Sequence, residues 1–190
     1  MIFIMFDTET SGLTLPSVAP LDAQPHIIEL GAVKCDEQKE LARLSQLIRP
    51  PCKLDKKITE ITGLKTADLK NAPTFAEFAP ALAEFFAGAD FLICHNAAFD
   101  LQVLKIELER AGIADFPIPN QVVCSANEYV HVLGFRPKMT DLYEHILHVP
   151  LAQTHRALDD AAALHELLRA DGFLGLQKIK TKPAFSLEPS

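Results

Sequence analysis

The sequence predicts an α/β protein with a mixed sheet of about five strands flanked by helices, and two patterns support that prediction. In the first part of the chain, three apolar segments with strand character follow one another and are separated by loops and polar turns. Further along, short apolar segments alternate with longer segments of helical periodicity. A strand meander followed by such an alternation is typical of a mixed sheet covered by helices.

The length and composition are those of one globular domain. A chain of 190 residues can bury a real hydrophobic core, and it is too short for two comfortable domains. Hydrophobic residues make up 48% and charged residues 23%, so the composition indicates neither disorder nor a fibrous protein. We therefore predict one domain over residues 1–175 and a weakly ordered C-terminal tail over residues 176–190, which contains several Lys and Pro residues.

The first three strands are predicted from apolar runs. Residues 1–6 are apolar throughout and rich in Ile and Phe, which indicates a central strand buried on both faces. A loop containing prolines then runs to about Pro25. Residues 26–34 and about 40–48 are predicted to form two further strands of a hairpin, because the polar turn over residues 36–39 separates them.

Helical periodicity begins near Asp55. It predicts two short helical pieces at about 55–61 and 66–70 and a longer helix at about 74–87. The elements after residue 90 alternate between short strands and helices: strands at 91–94 and about 121–124, and helices at about 97–110, 125–133, 140–147 and 155–170.

Three clusters of acidic, amide and histidine residues adjoin these apolar segments, and they run from Asp7 to Glu9, His95 to Asp100 and His155 to Asp160. Asp7 and Glu9 follow the first strand, and residues two apart on an extended chain project to the same side. Asp100 follows a second predicted strand, and ligands gather at the C-terminal ends of parallel strands. Carboxylates brought to one place repel one another unless divalent cations neutralise them. The pattern therefore predicts a metal site for phosphate chemistry, although Asp100 alone could simply complement a helix dipole.

Charge and cysteine usage exclude several classes of protein. A net charge of −7 argues against a protein that coats nucleic acid, but a nuclease that holds cations is not excluded. The four cysteines are scattered without a C-x-x-C pair, so we expect reduced thiols in a cytoplasmic protein. The apolar N-terminus lacks the basic region of a signal peptide, and no stretch approaches membrane-spanning length, so no membrane partner is expected.

The three clusters resemble the motifs of the DEDDh branch of the DnaQ-like 3′→5′ exonucleases. That family includes proofreading epsilon subunits, ribonuclease T and oligoribonuclease, and it shares a ribonuclease-H-like fold. Its motifs D-x-E with T and G following, H-N-x-x-F-D and H-x-x-x-x-D are matched by residues 7–12, residues 95–100, and His155 with Asp160. Residues 27–33 and 61–64 fit intervening family segments, so the resemblance covers about residues 2–170.

The resemblance implies a two-metal-ion 3′→5′ exonuclease that uses Mg²⁺ or Mn²⁺ and releases nucleoside 5′-monophosphates. Asp7 would bridge both ions. Glu9 and Asp160 would complete the site of one ion, and Asp100 would hold the other. His155 would be the general base, because an imidazole with an ordinary pKa of roughly 6.5 can accept a proton near neutral pH.

The resemblance also implies a set of substrate-binding residues. Family members contact the terminal nucleotide around the first motif, and the corresponding residues here are Thr8, Thr10, Gly12 and Leu13. Asn96 and Phe99 complete the set. Phe99 either stacks near a terminal base or packs beneath its helix. Asn96 is expected to stabilise the helix start, and His95 to order the loop.

The third motif contains two adjacent acids, and their positions distinguish them. Spacing from His155 alone favours Asp159, because residues four apart share a helical face. Asp160, however, lies within the apolar stripe of this helix, whereas Asp159 falls on the polar face, where it could pair with Arg156. A carboxylate that faces the protein needs a cation or a donor, so we predict that Asp160 is the metal ligand.

Single-stranded DNA is the favoured substrate, because residues 95–100 and the flanking sequence resemble proofreading-type domains most. An exoribonuclease or an enzyme similar to oligoribonuclease is the close alternative. A catalytically silent module that binds nucleic acid or a partner is disfavoured, because all five catalytic positions are filled. Lys178 to Pro183 in the tail could tether a polymerase or repair partner, but a frayed terminus is the favoured interpretation. The sequence leaves the oligomeric state and the biological role open.

Overall fold

The structure is a computed structural model that describes residues 1–175. Strands β1 (Phe3–Thr10), β2 (Ile27–Cys35) and β3 (Glu40–Leu47) form an antiparallel meander. Strands β4 (Phe91–Cys94) and β5 (Gln121–Cys124) run parallel to β1. The five strands form one sheet in the order β3-β2-β1-β4-β5, which confirms the mixed sheet that the sequence predicts.

Seven α-helices accompany the sheet in the described part of the chain: α1 (Lys56–Thr62), α2 (Phe75–Phe86), α3 (Ala97–Arg110), α4 (Ser125–Glu128), α5 (Val130–Leu133), α6 (Met139–Leu147) and α7 (Ala157–Ala170). A short 3₁₀ helix, Leu21–Ala23, lies in the loop after β1. The capping box at Thr74, in which Thr74 and Glu77 satisfy each other's backbone amides, fixes the start of α2.

Two of the predicted helices are wrong in detail. Residues 66–70 form turns, because side chains bond the backbone there: Asp68 accepts from the Lys65 amide at 2.7 Å, and the Thr66 hydroxyl accepts from the Leu54 amide at 2.9 Å. The helix predicted over 125–133 is divided into α4 and α5 at Tyr129. The Tyr129 ring is buried against Phe173, so packing outweighs local helical preference at this position.

The strand β1 is buried on both faces, as its apolar sequence predicts. Phe3 and Met5 project into a core formed with α6 and α7, while Ile4 and Phe6 project into a core formed with α2 and α3. Alternation along the strand therefore places Asp7 and Glu9 on the α7 side of the sheet.

The start of α7 lies directly against β2. A Cβ atom added to Gly31 would lie 2.0 Å from the carbonyl carbon of Ala157, so only glycine permits this approach. The close contact brings the third sequence motif to the strand next to β1.

Two further expectations concern the cysteines and the tail. All four cysteines are free, as their spacing predicts. Among residues 1–175, no helix has the length and hydrophobicity needed to cross a membrane. The predicted tail over residues 176–190, including Lys178 to Pro183, lies outside the described residues, so the domain boundary stays a prediction.

Candidate active site

Carboxylates from three elements meet at the C-terminal end of β1. Asp7 and Glu9 lie on β1 itself, while Asp100 lies in the first turn of α3 and Asp160 in the first turn of α7. Asp7 is close enough to the other three for each of them to raise its pKa through charge repulsion. The sheet thus brings together acids that are spread over more than 150 positions of the sequence.

Asp100 is fixed by the first motif. The backbone amide of Thr8 donates to its Oδ1 at 3.1 Å, and the Thr8 hydroxyl donates to the same oxygen at 2.9 Å. The residue between the two acids of β1 therefore orients the acid of α3. Thr8, predicted as a substrate contact, is itself buried in this arrangement.

The third motif supplies an imidazole and a carboxylate. Ligand atoms of Glu9, His155 and Asp160 all lie within 4.8 Å of one another. His155 precedes α7 and has a φ of 51°, in the left-handed region that residues other than glycine seldom adopt. The neighbouring acid, Asp159, is exposed and accepts a hydrogen bond from the Thr154 hydroxyl at 2.7 Å. Arg156, which the sequence would let pair with Asp159, instead binds Glu29.

The acids of this cluster are held in an unfavourable environment. Burial, followed by the charges of neighbouring carboxylates, raises the pKa of Asp7 well above its ordinary value and that of Glu9 to about 8. Burial also raises the pKa values of Asp100 and Asp160, although hydrogen bonds from Thr8 oppose the shift at Asp100. A bound cation would reduce the charge repulsion among these clustered carboxylates, and their hard oxygen atoms are suitable ligands for Mg²⁺ or Mn²⁺. The residues present therefore fit divalent cations.

The loop after β1 exposes three large apolar side chains, and Leu13 is the first of them along the chain. The Thr10 hydroxyl donates to the carbonyl oxygen of Gly12 at 2.6 Å and fixes the turn. A Cβ atom at Gly12 would contact nothing within 4 Å, so the backbone there is open. Leu13 follows, with 82% of its surface exposed. An exposed leucine beside an open backbone segment is suited to contact a flat apolar group such as a base.

The second motif orders its surroundings through His95. Burial lowers the pKa of His95, which favours the neutral ring. Nε2 lies 3.1 Å from the Pro137 carbonyl oxygen and must donate to it, so Nδ1 accepts from the Ser125 hydroxyl at 3.0 Å. Asn96 is the N-cap residue of α3, as expected, but its side chain makes no capping hydrogen bond and instead accepts from Arg136 at 2.7 Å. Phe99 is partly buried and packs against the α2 and α3 core, which favours the packing alternative.

Arg136 is a candidate functional residue that the sequence analysis missed. Its guanidinium donates to the side-chain oxygens of Asn96 and Asn127, at 2.7 and 3.0 Å. Both acceptors are neutral, and among the described residues no carboxylate pairs with Arg136. The positive charge of this exposed arginine is therefore not neutralised by a described carboxylate, and it lies beside the second motif. The contact joins residues 40 positions apart, so no local signal could have revealed it.

Comparison with known proteins gives matches over most of the chain. The family model RNase_T, described as Exonuclease, matches residues 4–168. DNA polymerase III PolC-type of Caldanaerobacter subterraneus subsp. tengcongensis is 30% identical over 166 residues, which are 87% of this chain but 11% of that protein. DNA polymerase III subunit epsilon of Treponema pallidum is 30% identical over 171 residues, 87% of this chain and 74% of that protein.

A solved structure has the same fold. The nuclease domain of 3′hExo, described as a DEDDh family member bound to rAMP, superposes with a TM-score of 0.77 over 97% of both chains. The sequence identity is 16%, so this likeness concerns the fold alone. It confirms the ribonuclease-H-like arrangement that the sequence motifs imply.

Proposed function

The chain belongs to the exonuclease family that the matching model describes, and we propose that it removes nucleotides in the 3′→5′ direction from single-stranded DNA. Membership confirms the resemblance to DnaQ-like DEDDh exonucleases. The observation that carries the proposal is the placement of Glu9, His155 and Asp160 within 4.8 Å of one another, beside Asp7 and Asp100. Five groups suited to phosphodiester hydrolysis share one site.

In this proposal Asp7, Glu9, Asp100 and Asp160 would hold two divalent cations, Mg²⁺ or Mn²⁺. When bound, such cations supply positive charge at the scissile phosphate and increase the acidity of water. His155 is the proposed acceptor of the proton of the attacking water, and its position beside Glu9 and Asp160 supports that role. The product is a nucleoside 5′-monophosphate.

The side chains around the site include a positive charge and an apolar contact, and both are suited to binding a nucleic-acid strand. The chain carries a net charge of −7, so a nucleic acid must be attracted locally rather than by the whole surface. Arg136 offers a local positive charge beside Asn96, and Leu13 offers an apolar contact at the end of β1. We assign Thr10, Gly12, Leu13 and Asn96 to substrate binding together with Arg136, and Thr8 to orienting Asp100. Phe99 supports α3.

We propose DNA rather than RNA as the substrate, because two relatives are named as DNA polymerase III proteins. The second candidate is an exoribonuclease, which the rAMP bound to the 3′hExo nuclease domain favours. The same relatives make a polymerase the partner of choice for a binding experiment. A cytoplasmic location stays a prediction from the sequence.

A digestion experiment tests direction, substrate and metal together. Single-stranded DNA and RNA of one sequence are labelled at the 5′ end and incubated with Mg²⁺, Mn²⁺ or EDTA. We expect a ladder of shortening DNA products, slower digestion of RNA, and no products in EDTA. Asp7→Asn is the inactive control.

The outcomes separate the alternatives. Immediate release of a labelled mononucleotide from the 5′ end would contradict the direction. Faster digestion of RNA would favour the exoribonuclease. Binding of the oligonucleotide without digestion in either metal would mean that the chain is a silent binding module.

A further inference from the structure

Glu29 on β2 is a buried charge to which the proposed chemistry assigns no role. Its side chain is 1% exposed, and it pairs in register with Glu9 across the β1 and β2 strands. An ionised carboxylate in such a place needs compensating donors. The identity of those donors decides what Glu29 does.

Arg156 and the start of α7 provide the donors. Arg156 donates from Nη2 to Oε1 of Glu29 at 2.7 Å, and from Nε to Oε2 at 3.0 Å and to Oε1 at 3.1 Å. The amide of Ala157 adds a bond to Oε2 at 3.3 Å. A two-pronged arginine bridge of this kind fixes orientation as well as distance. Glu29 thus ties the start of α7 to the sheet.

The bridge is adjacent in sequence to the proposed base. Arg156 directly follows His155, whose φ of 51° is unfavourable for a residue with a Cβ atom. A residue stays in such a conformation only where its surroundings hold it there. On the other side, the Thr154 hydroxyl bonds to Asp159 in the first turn of α7. The contact between Gly31 and Ala157 prevents α7 from moving closer to β2.

We propose that Glu29 is a positioning residue, whose bridge to Arg156 holds His155 in its left-handed conformation with the imidazole beside Glu9 and Asp160. The inference rests on the proposed function, because it concerns the base of that reaction. Glu9 belongs to β1 and His155 to the segment before α7, so something must fix the distance between these elements. Glu29 does so because it lies on the strand next to β1 and holds the residue that follows His155.

Glu29→Gln is the test variant, because it preserves the shape of the side chain and removes the charge. Arg156 is 42% exposed and can be solvated when it loses its partner, so the fold is expected to persist. Displacing a catalytic group by about 1 Å can lower the rate on the order of 10²-fold. We expect kcat to fall about 10- to 10²-fold and KM to change less than about twofold.

Glu40→Gln is a control for removing the charge of a glutamate bound by arginine, because Arg43 donates to both oxygens of Glu40, at 2.7 and 2.8 Å, in a more exposed bridge. Glu40 pairs with Cys35, at the end of β2 remote from the site. This variant should keep the parent kcat. Arg156→Gln should reproduce the loss seen with Glu29→Gln, and Arg156→Lys should restore part of it.

Two measurements separate positioning from a general loss of structure. In a His155→Ala background, Glu29→Gln should change kcat by less than about twofold, because the group that it positions is absent. The second measurement is NMR spectroscopy of the metal-free protein, in which the backbone chemical shifts of His155 report its φ. They should no longer indicate a left-handed conformation in Glu29→Gln, and they should still indicate it in Glu40→Gln.

The inference is overturned if Glu29→Gln lowers kcat equally in both backgrounds, or if the His155 backbone shifts are unchanged. A parent protein without nuclease activity would overturn the proposed function instead. The NMR comparison would still decide whether Glu29 holds His155.

Discussion

Asp159 and Asp160 are adjacent acids in the first turn of α7, and we predict opposite consequences for their replacement by asparagine. Asp160 is 7% exposed, and its carboxylate lies in the cluster with Glu9 and His155. Asp159 is exposed and bonds to Thr154. Asp160→Asn should abolish exonuclease activity, and Asp159→Asn should stay within a few-fold of the parent.

The sizes follow from what each carboxylate contacts. Charge stabilisation by a bound cation contributes several kcal/mol to such reactions, and each 1.36 kcal/mol is about tenfold in rate. Losing a ligand should therefore lower kcat/KM on the order of 10²- to 10³-fold or more. Asp159→Asn leaves an amide oxygen that can still accept from Thr154, so at most part of an exposed hydrogen bond of about 0.5–1.5 kcal/mol is lost.

Stability gives an independent readout for the same pair. Burial raises the pKa of Asp160 in the folded protein, so its contribution to stability is present at low pH and is lost as pH rises through the folded pKa. Without metal, Asp160→Asn should therefore unfold at the parent temperature or above it at pH 8. Its advantage should disappear near pH 4.

The assays are initial rates on a 5′-labelled DNA oligonucleotide with Mg²⁺, and thermal unfolding in EDTA, with both variants run beside the parent. An active Asp160→Asn with an inactive Asp159→Asn would mean that the third motif has been misassigned. An Asp160→Asn that unfolds well below the parent in EDTA would mean that Asp160 has a structural role instead.

Three further predictions address the metal, the base and the substrate. Burial raises the pKa of Glu9 from 4.5 to about 8, so the metal-free protein should lose stability as pH rises over that interval. Mg²⁺ should therefore raise the melting temperature more at pH 8 than at pH 5. Equal increases at both pH values would contradict this prediction. His155→Ala should lose on the order of 10²- to 10⁴-fold in kcat while calorimetry still detects Mn²⁺ binding, and full activity would refute its assignment as the base. Arg136→Ala should raise KM several-fold and weaken the salt dependence of DNA binding, whereas Arg136→Lys should be milder; an unchanged KM would exclude a phosphate contact.

The fold was largely predictable because its strands correspond to local apolar patterns in the sequence. Residues 1–6 and 91–94 are apolar without interruption. The first run contains the start of β1, which begins at Phe3 and continues to Thr10, and the second run is β4. The two errors arose where contacts outside the pattern decide the conformation. Asp68 bonds to the backbone of Lys65, and Tyr129 packs on Phe173. Neither contact changes the hydrophobic periodicity, so periodicity alone could not reveal it.

The candidate site was predictable only where a motif names the residue. Asp7 and Asp100 stand out because acids follow apolar strands, and their convergence follows from the parallel pairing of β1 with β4. The bridge from Glu29 to Arg156 joins residues 127 positions apart. Glu29 lies in an apolar strand segment, and nothing local distinguishes its partner. Such contacts depend on the packing of α7 against the sheet, and no local sequence pattern predicts that packing.

Buried acids of two kinds occur in the described chain, and they should respond oppositely to neutralisation. Glu107 belongs to the first kind, because Arg110 and the Ile27 amide donate to the same oxygen, at 3.0 and 3.1 Å. Asp7 belongs to the second, because the groups that shift its pKa by charge are all acids. Neutralising an acid of the first kind leaves its buried donors without a charged partner, whereas neutralising an acid of the second kind removes a repulsion.

In EDTA at pH 7, Glu107→Gln should therefore lower the free energy of unfolding by about 1–3 kcal/mol, because Arg110 loses its charged partner. Asp7→Asn should leave it unchanged or raise it, because it removes a repelled charge. The measurement is urea unfolding of each variant beside the parent. If both variants lost stability equally, the acids of β1 would be compensated within the fold, and the argument that they await a cation would fail.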